Sequence, residues 1–305
     1  MLSQRHRSAH GLIVWSVAFV LLWNSGFIGA EFGLPYSGPF TMLFWRYLAL
    51  TLVTWPIAAV RGQLRKLPLR DTVRIAVVGV LSHGVWLSCV LLAIDRGVPA
   101  GIVSLVVALQ PLLTGALSGM VTGERTNPRQ WVGLALGFAG VAVAVGGRLE
   151  GSTPAPELFY LLPFVSAAAI TTANLIQRRS GIIGTGERIP VTYQLAIQAT
   201  ATTVVLLPAA LFVESLATDW VPTYWGSMIW LVLAVSLGAY ALMWRLLERS
   251  SATRIASLFY LGPPVTMLMA WAAFGDTLVA SDLIGLAVAG SGVLLVTLRT
   301  ARSCS

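Results

Sequence analysis

One arginine stands inside an apolar stretch of the sequence. Arg46 lies in the segment Phe44-Trp45-Arg46-Tyr47, roughly 10 Å past Pro39 at 1.5 Å per helical residue. A charge at that depth in lipid is costly and by default faces a cavity or a partner. Its planar guanidinium suits two parallel hydrogen bonds to a substrate carboxylate. A scaffold bonded to carbonyls near Pro39 or Pro111, and snorkelling to the outer surface, are the alternatives.

Among the histidines, His83 alone falls within an apolar run. An imidazole titrates near neutral pH and could carry a coupling proton. The alternative is a hydrogen bond between helices. The acidic residues Glu31, Glu124, Asp276 and Asp282 fall at the ends of apolar runs or in loops. This placement weakens a mechanism in which a carboxylate in mid-membrane couples transport to protons.

Further polar and aromatic residues at middle depth predict the lining of a substrate cavity. Gln194 and Gln198 are four residues apart and therefore share a helical face. Such side chains also join helices without binding anything, so the structural alternative stays open. The remaining candidates are Asn24, Ser25, Trp86, Gln110, Asn174, Tyr193, Tyr240, Trp244 and Tyr260.

Prolines and glycines indicate special backbone positions. Pro111, Pro263 and Pro264 fall in mid-span, where each removes a helical hydrogen bond. We predict hinges there, with lipid-facing kinks as the alternative. Rows of glycine (Gly133, Gly137, Gly140; Gly285, Gly292) predict close helix approach across a repeat or in a homodimer.

The elements that position these residues follow from the composition. Of the 305 residues, 56% are hydrophobic and only 10% are charged, which predicts an all-α membrane protein rather than a soluble one. The net charge of +8 does not indicate nucleic-acid binding, because the basic residues sit in short loops.

The first apolar run is interpreted as an uncleaved membrane span and not as a signal peptide. Ten runs are long enough to cross a bilayer: 12–30, 39–60, 73–94, 98–120, 129–147, 157–178, 190–213, 224–245, 252–274 and 281–298.

The basic residues predict the orientation of the spans. If the N-terminus is cytoplasmic, 17 of the 20 basic residues lie on the cytoplasmic side, and only Arg96 and Arg148 lie outside. Positive charges favour the cytoplasmic loops. We therefore predict that both termini are cytoplasmic and that the protein is a multi-pass protein of the inner, or plasma, membrane.

The second half of the chain resembles the first. A shift of 152 residues aligns Pro111 with Pro263, Gly133 with Gly285 and Gly140 with Gly292. We predict two five-helix repeats, residues 1–150 and 151–305. Because five is odd, the second copy enters the membrane inverted, which is a recurrent arrangement in secondary transporters.

Several segments together resemble the EamA family of the drug/metabolite transporter superfamily. They are Trp23-Asn24-Ser25-Gly26-Phe27, Arg46 in the second span, and Pro111 with Gly123-Glu124-Arg125. In the second copy Gly275-Asp276 replaces the usual glutamate. The resemblance covers about residues 12 to 298 and implies a ten-helix bundle with alternating access. It also implies export of amino acids or related metabolites, or of drugs.

These observations predict a secondary transporter that exports amino acids or similar small metabolites. A facilitator or importer of another metabolite, such as a sugar or purine, is the main alternative. An intramembrane enzyme is a weaker alternative, because the sequence has no HExxH, GxSxG or P-loop motif and no metal-ligand cluster. The lack of a soluble effector domain and the inverted repeat count against a multispan receptor. We expect no cofactor or metal, and partners limited to a small molecule, the lipid bilayer and a possible homodimer.

Overall fold

The computed structural model describes residues 2–110, 112–114, 117, 128–149, 155–179, 189–249, 258–259 and 261–300. The regular elements within these ranges are helical. The α-helices are α1 (Leu2–Gly33), α2 (Pro39–Val60), α3 (Leu69–Gly79), α4 (Trp86–Asp95), α5 (Ala100–Val107), α6 (Pro128–Leu149), α7 (Leu162–Arg179), α8 (Val191–Phe212), α9 (Pro222–Ile229), α10 (Tyr240–Arg249), α11 (Gly262–Phe274) and α12 (Ala280–Thr300).

Two long helices contain π-helical stretches. Val80–Val85 joins α3 to α4, and Trp230–Ala239 joins α9 to α10. Short 3-10 helices, Leu34–Tyr36 and Glu157–Leu161, precede α2 and α7. π-Helical turns inside α-helices often accompany functional sites.

Six helices among the described residues are long and apolar enough to cross a membrane. They are Leu12–Tyr36, Pro39–Val60, Leu69–Asp95, Glu157–Gln177, Val191–Phe212 and Pro222–Met243. Ala100–Thr114 and Trp131–Ala144 are shorter apolar helices. The prediction of an all-helical membrane protein is confirmed, whereas the full count of ten spans stays a prediction.

The predicted span boundaries agree closely with several helices. The second span, 39–60, matches α2, and the seventh, 190–213, is one residue longer than α8 at each end. The first span, predicted as 12–30, begins with the apolar segment Leu12–Tyr36 and ends six residues before it does. The fourth and ninth spans lie partly outside the described residues.

Two predicted hinge prolines lie at the start of a helix. Pro263 and Pro264 occupy the first turn of α11, directly after a turn at Leu261. In the first turn a backbone N–H has no helical acceptor, so proline loses nothing there. The prediction that they remove mid-helix hydrogen bonds is therefore wrong, whereas a hinge at this place stays a prediction. Pro111 lies outside the described residues.

Two antiparallel helix pairs organise the bundle. The hydroxyl of Thr41 in α2 donates to the carbonyl of Ala210 in α8, and at the other end Trp55 Nε1 donates to Thr200 Oγ1. Proline interrupts both helices at corresponding places, Pro56 in α2 and Pro208 in α8. α2 and α8 each have 22 residues and begin 152 residues apart.

The second pair, α6 and α12, meets at the glycine rows. A Cβ atom on Gly140 would overlap the Gly285 carbonyl oxygen, and one on Gly285 would overlap the Gly140 carbonyl oxygen. A Cβ on Gly292 would lie 2.6 Å from the carbonyl oxygen of Gly133. These glycines therefore allow the two backbones to touch, as the sequence predicted. Gly133 and Gly285 are 152 residues apart, and so are Gly140 and Gly292. Exchanging each glycine for its counterpart therefore turns the contact of Gly133 with Gly292 into the contact of Gly285 with Gly140.

We predict that Gly140→Leu destabilises the protein by about 1–3 kcal/mol, because the added side chain must push α12 away. The melting temperature of the purified protein in detergent should fall by roughly 5 °C. Gly146→Leu is the matched control, since a Cβ there meets no atom within 4 Å. Equal effects of the two substitutions would contradict the proposed backbone contact.

Candidate functional site

A cavity of about 830 Å³ lies at the centre of the bundle. α2, α3, α4, α7 and α8 contribute to its wall, together with the π-helical stretch before α10. Two smaller cavities adjoin it and share Trp23 and Trp86 with it. Among the predicted residues, those that line one or more of the three are Arg46, His83, Trp86, Gln110, Asn174, Gln194, Gln198, Tyr240 and Asn24.

Arg46 lines one of the two smaller cavities, of about 50 Å³, and only 6% of the residue is exposed. This small cavity shares His83, Ser236 and Tyr240 with the central one. Its Nε and Nη2 atoms donate to Ser236 Oγ at 3.2 and 3.0 Å. The guanidinium carbon also lies 5.9 Å from the centre of the Tyr47 ring. No carboxylate in the described part of the chain forms an ion pair with Arg46. A buried cation that has only neutral partners is an energetically favourable place for an anion.

His83 and Gln198 form a second polar contact in the cavity wall. Its Nε2 lies 3.2 Å from Gln198 Oε1, across the junction of the first π-helical stretch with α8. The Tyr47 ring packs 5.3 Å from the imidazole centre. The contact joins helices, as the structural alternative predicted. It does not test whether His83 carries a proton.

Aromatic rings form the apolar part of the wall. Trp23 stacks on Trp86 with ring centres 6.4 Å apart, and its edge contacts include Phe259 at 5.2 Å and Tyr240 at 5.5 Å. The indole nitrogen of Trp86 is buried and has no hydrogen-bond partner among the described residues. The wall therefore combines a large apolar surface with one spare donor.

Asn24 and Ser25 face different surroundings. Asn24 donates to the Val20 carbonyl at 2.7 Å and accepts from the Thr266 hydroxyl at 3.2 Å, at the edge of a cavity shared with Gln110. Ser25 instead accepts a hydrogen bond from Trp230 Nε1 at 2.9 Å and lines a separate groove. Consecutive helical residues point about 100° apart. The prediction that Ser25 lines the same cavity is therefore wrong.

The other predicted residues have local partners. Gln194 donates to the Ile189 carbonyl at 2.7 Å, and Gln110 donates to Thr114 Oγ1 at 2.9 Å. Tyr193 packs in a separate buried cluster, and its hydroxyl donates to the Arg65 carbonyl at 2.9 Å. Tyr260 and the side chain of Trp244 lie outside what the structure describes.

The two ends of the α2–α8 pair differ. The central cavity extends to the end that holds Arg61, Gln63 and Thr192, which we call the Arg61 end. At the opposite end, which we call the Glu214 end, the loop after α8 lies on the start of α2. There Asp219 N donates to the Tyr36 carbonyl at 2.8 Å, and Trp45 Nε1 donates to Thr218 Oγ1 at 3.2 Å.

Sequence reasoning missed three residues of the site. Trp23 was noted only within a motif, although it borders all three cavities. Ser236 holds the Arg46 guanidinium, and Tyr47 packs on it. A polar serine in an otherwise apolar run was the available signal for Ser236. Trp23 could not be distinguished from other span tryptophans.

An apolar helical bundle whose cavities are bordered by a buried arginine is typical of a multi-pass membrane transporter. The chain belongs to the EamA-like transporter family, whose model matches residues 11–146 and 158–298. The family resemblance read from the sequence is thus confirmed, and the protein is a multi-pass transporter of the inner membrane.

Curated relatives match almost the whole chain. It is 29% identical to the uncharacterized inner membrane transporter YedA of Escherichia coli strain K12, over 92% of this chain and 89% of YedA. A probable amino-acid metabolite efflux pump of Salmonella typhimurium is 27% identical, over 90% of this chain and 91% of the relative. A probable terminal-alkyne amino-acid exporter of Streptantibioticus cattleyicolor is 27% identical, over 94% of each chain.

A solved crystal structure has the same fold. It superposes with a TM-score of 0.67 at 22% identity and covers 97% of this chain and 99% of its own.

We predict that His83 and Gln198 are energetically coupled. His83→Ala and Gln198→Ala should each lower the free energy of unfolding by about 1 kcal/mol, and the double substitution should cost less than their sum. Thermal unfolding in detergent provides the measurement. Gln194→Ala is the matched control, because Gln194 bonds to Ile189 and should combine additively with His83→Ala. Additive effects for His83 and Gln198 as well would show that their contact contributes nothing.

Proposed function

We propose that the protein is a secondary transporter that exports amino acids or related small carboxylates by alternating access. Arg46 carries the proposal, because a buried guanidinium at a cavity wall binds a carboxylate through charge-assisted hydrogen bonds. The guanidinium has five N–H donors, and Ser236 accepts from only two of its nitrogens. A ligand carboxylate could therefore bind without displacing Ser236.

The aromatic wall supports a substrate with an apolar or aromatic side chain. Trp23, Trp86 and Tyr240 surround the space next to Arg46. Aromatic surfaces favour apolar and ring-containing ligands, while a buried donor such as Trp86 Nε1 favours an acceptor on the ligand. This space of about 50 Å³ adjoins the central cavity of about 830 Å³, whose volume falls within the usual range of small-molecule sites. The names of two relatives, an amino-acid metabolite efflux pump and an amino-acid exporter, agree with this class.

Alternating access is supported by the pairing of corresponding helices. We infer ten spans in two inverted repeats, residues 1–150 and 151–305, which would relate α2 to α8 and α6 to α12. The matched lengths of α2 and α8 and the glycine contacts that interchange on a shift of 152 residues fit such a symmetry. Inverted repeats allow one central site to face each side of the membrane in turn.

The orientation follows from the basic residues. With both termini in the cytoplasm, the Arg61 end of the bundle is cytoplasmic and the Glu214 end is outside. The described cavity then extends toward the cytoplasm and is covered on the outer side. An exporter would load its substrate in this conformation.

We predict that Arg46→Ala abolishes export, because the substrate carboxylate loses its cation. Arg46→Lys should retain only part of the activity, since a lysine lacks the planar fork. The measurement is the extracellular metabolite profile of cells that overproduce each variant, beside the wild type and an empty vector. Arg70→Ala, which removes an exposed arginine in the first turn of α3, is the matched control and should export normally.

Membrane abundance and melting temperature identify variants that fail to fold. Full export by a stable Arg46→Ala protein would remove Arg46 from the site. If the wild type exports nothing but increases uptake of a supplied metabolite, the protein is an importer or facilitator instead. No change in either direction, with the protein present in the membrane, would contradict transport of this substrate class.

A further inference from the structure

The loop after α8 places a carboxylate on the first turn of α2. Glu214 Oε2 accepts a hydrogen bond from the backbone N–H of Thr41 at 2.7 Å, and Oε1 accepts one from Phe40 at 3.2 Å. Both donors belong to the first helical turn, where backbone N–H groups have no acceptor within the helix. Pro39 has no N–H, so Glu214 satisfies the two free donors that follow it. We call this contact the Glu214 cap.

In the Glu214 cap the carboxylate also packs closely against the backbone of Gly38. A Cβ atom on Gly38 would overlap the Glu214 carboxyl group, so a side chain at this position would have to displace the carboxylate. Gly38 has an extended backbone with φ −61° and ψ 157°, which any residue can adopt. Glycine here therefore leaves space for the Glu214 cap and is not needed for its backbone conformation. A negative charge at a helix N-terminus is further stabilised by the helix dipole.

The backbone that presents the carboxylate is strained. Ser215 and Leu216 have φ angles of 55° and 54°, in the left-handed region that side chains disfavour. Two hydrogen bonds hold them there, from Leu216 N to the Ala210 carbonyl at 2.8 Å and from Ala217 N to the Glu214 carbonyl at 2.9 Å. Strained residues persist where surrounding contacts fix them, and such segments often switch between conformations. The Glu214 cap is one of the contacts that fix this segment.

The corresponding place at the Arg61 end lacks a carboxylate. The position 152 residues before Glu214 is Gly62, and the position 152 residues after Gly38 is Pro190. At that end the loop after α2 contacts α8 through the Tyr193 hydroxyl, which donates to the Arg65 carbonyl, while Pro190, Val191 and Thr192 line the cavity. The two ends would be equivalent under an inverted repeat, but among the described residues a carboxylate caps the helix start at the Glu214 end and not at the Arg61 end.

We propose that the Glu214 cap stabilises the conformation closed at the Glu214 end, and that this contact breaks when the cavity opens there. The proposal rests on the alternating-access function proposed above. It assigns to Glu214 the role of setting the balance between the two conformations, without contact with the substrate. Loss of the cap should therefore increase access to the cavity at the Glu214 end and decrease it at the Arg61 end.

Cysteine labelling measures both accessibilities without any substrate. A protein with Cys89 and Cys304 replaced by serine receives a reporter at Leu91→Cys, beside the cavity, or at Thr192→Cys, at the Arg61 end. A membrane-impermeant maleimide is added to right-side-out and to inside-out vesicles. An exposed marker, Ala217→Cys, identifies the preparation in which the Glu214 end faces the reagent. The comparison thus does not depend on the predicted orientation.

Glu214→Gln and Gly38→Ala should each increase labelling of Leu91→Cys from the Glu214 end about tenfold, which corresponds to about 1.4 kcal/mol. Labelling of Thr192→Cys from the opposite side should fall. Asp219→Asn is the matched control, since it removes a charge from the same loop at an exposed side chain. It should leave both rates unchanged.

Unchanged rates in Glu214→Gln would overturn the proposal, because the cap would then not determine which end is closed. Faster labelling from both sides would overturn it too, since that result indicates loosening of the bundle and not a shift between two conformations. Neither result depends on whether the protein exports amino acids. Failure of the cap and failure of the proposed function can therefore be told apart.

Discussion

The antiparallel contact of α2 with α8 is the arrangement on which the rest of the site depends. Within lipid, each helix satisfies its own backbone hydrogen bonds, so the chain can only vary how helices pack and which side chains they carry. Because α2 and α8 run alongside each other, Arg46 and Gln198 both reach the middle of the bundle. The same pairing brings Glu214 to the start of α2 and leaves Arg61 beside the start of α8.

Features that follow from the free-energy cost of moving charged or polar side chains from water into lipid were predictable from the sequence. An arginine inside an apolar run is expensive wherever the helix sits, so Arg46 could be expected to face a cavity or a partner before any packing was known. The limits of α2 were also predictable, since Pro39 begins the apolar run and Arg61 follows it. For the same reason His83 and the glutamines of α8 could be placed at middle depth.

Features that depend on the rotation of a helix or on distant contacts were not predictable. Asn24 and Ser25 are adjacent and equally polar, and only the neighbours of α1 decide which one meets the cavity. Pro263 and Pro264 read as interruptions because the turn at Leu261 has no distinctive composition. Glu214 is 174 residues from Phe40 in sequence, and an acidic loop residue carries no local sign that it caps a helix.

Differences between the two halves bear on how such a transporter would work. If α2 and α8 are equivalent helices, Arg46 corresponds to Gln198, so the cationic part of the site comes from one half alone. A carboxylate would then stay bound to α2 while access changes around it, because the neutral Gln198 cannot replace the guanidinium. Likewise Glu214 corresponds to Gly62, which makes the two ends of the cavity chemically unequal. An inverted repeat would supply two conformations of similar packing, and these differences between the halves would then make one conformation more stable than the other.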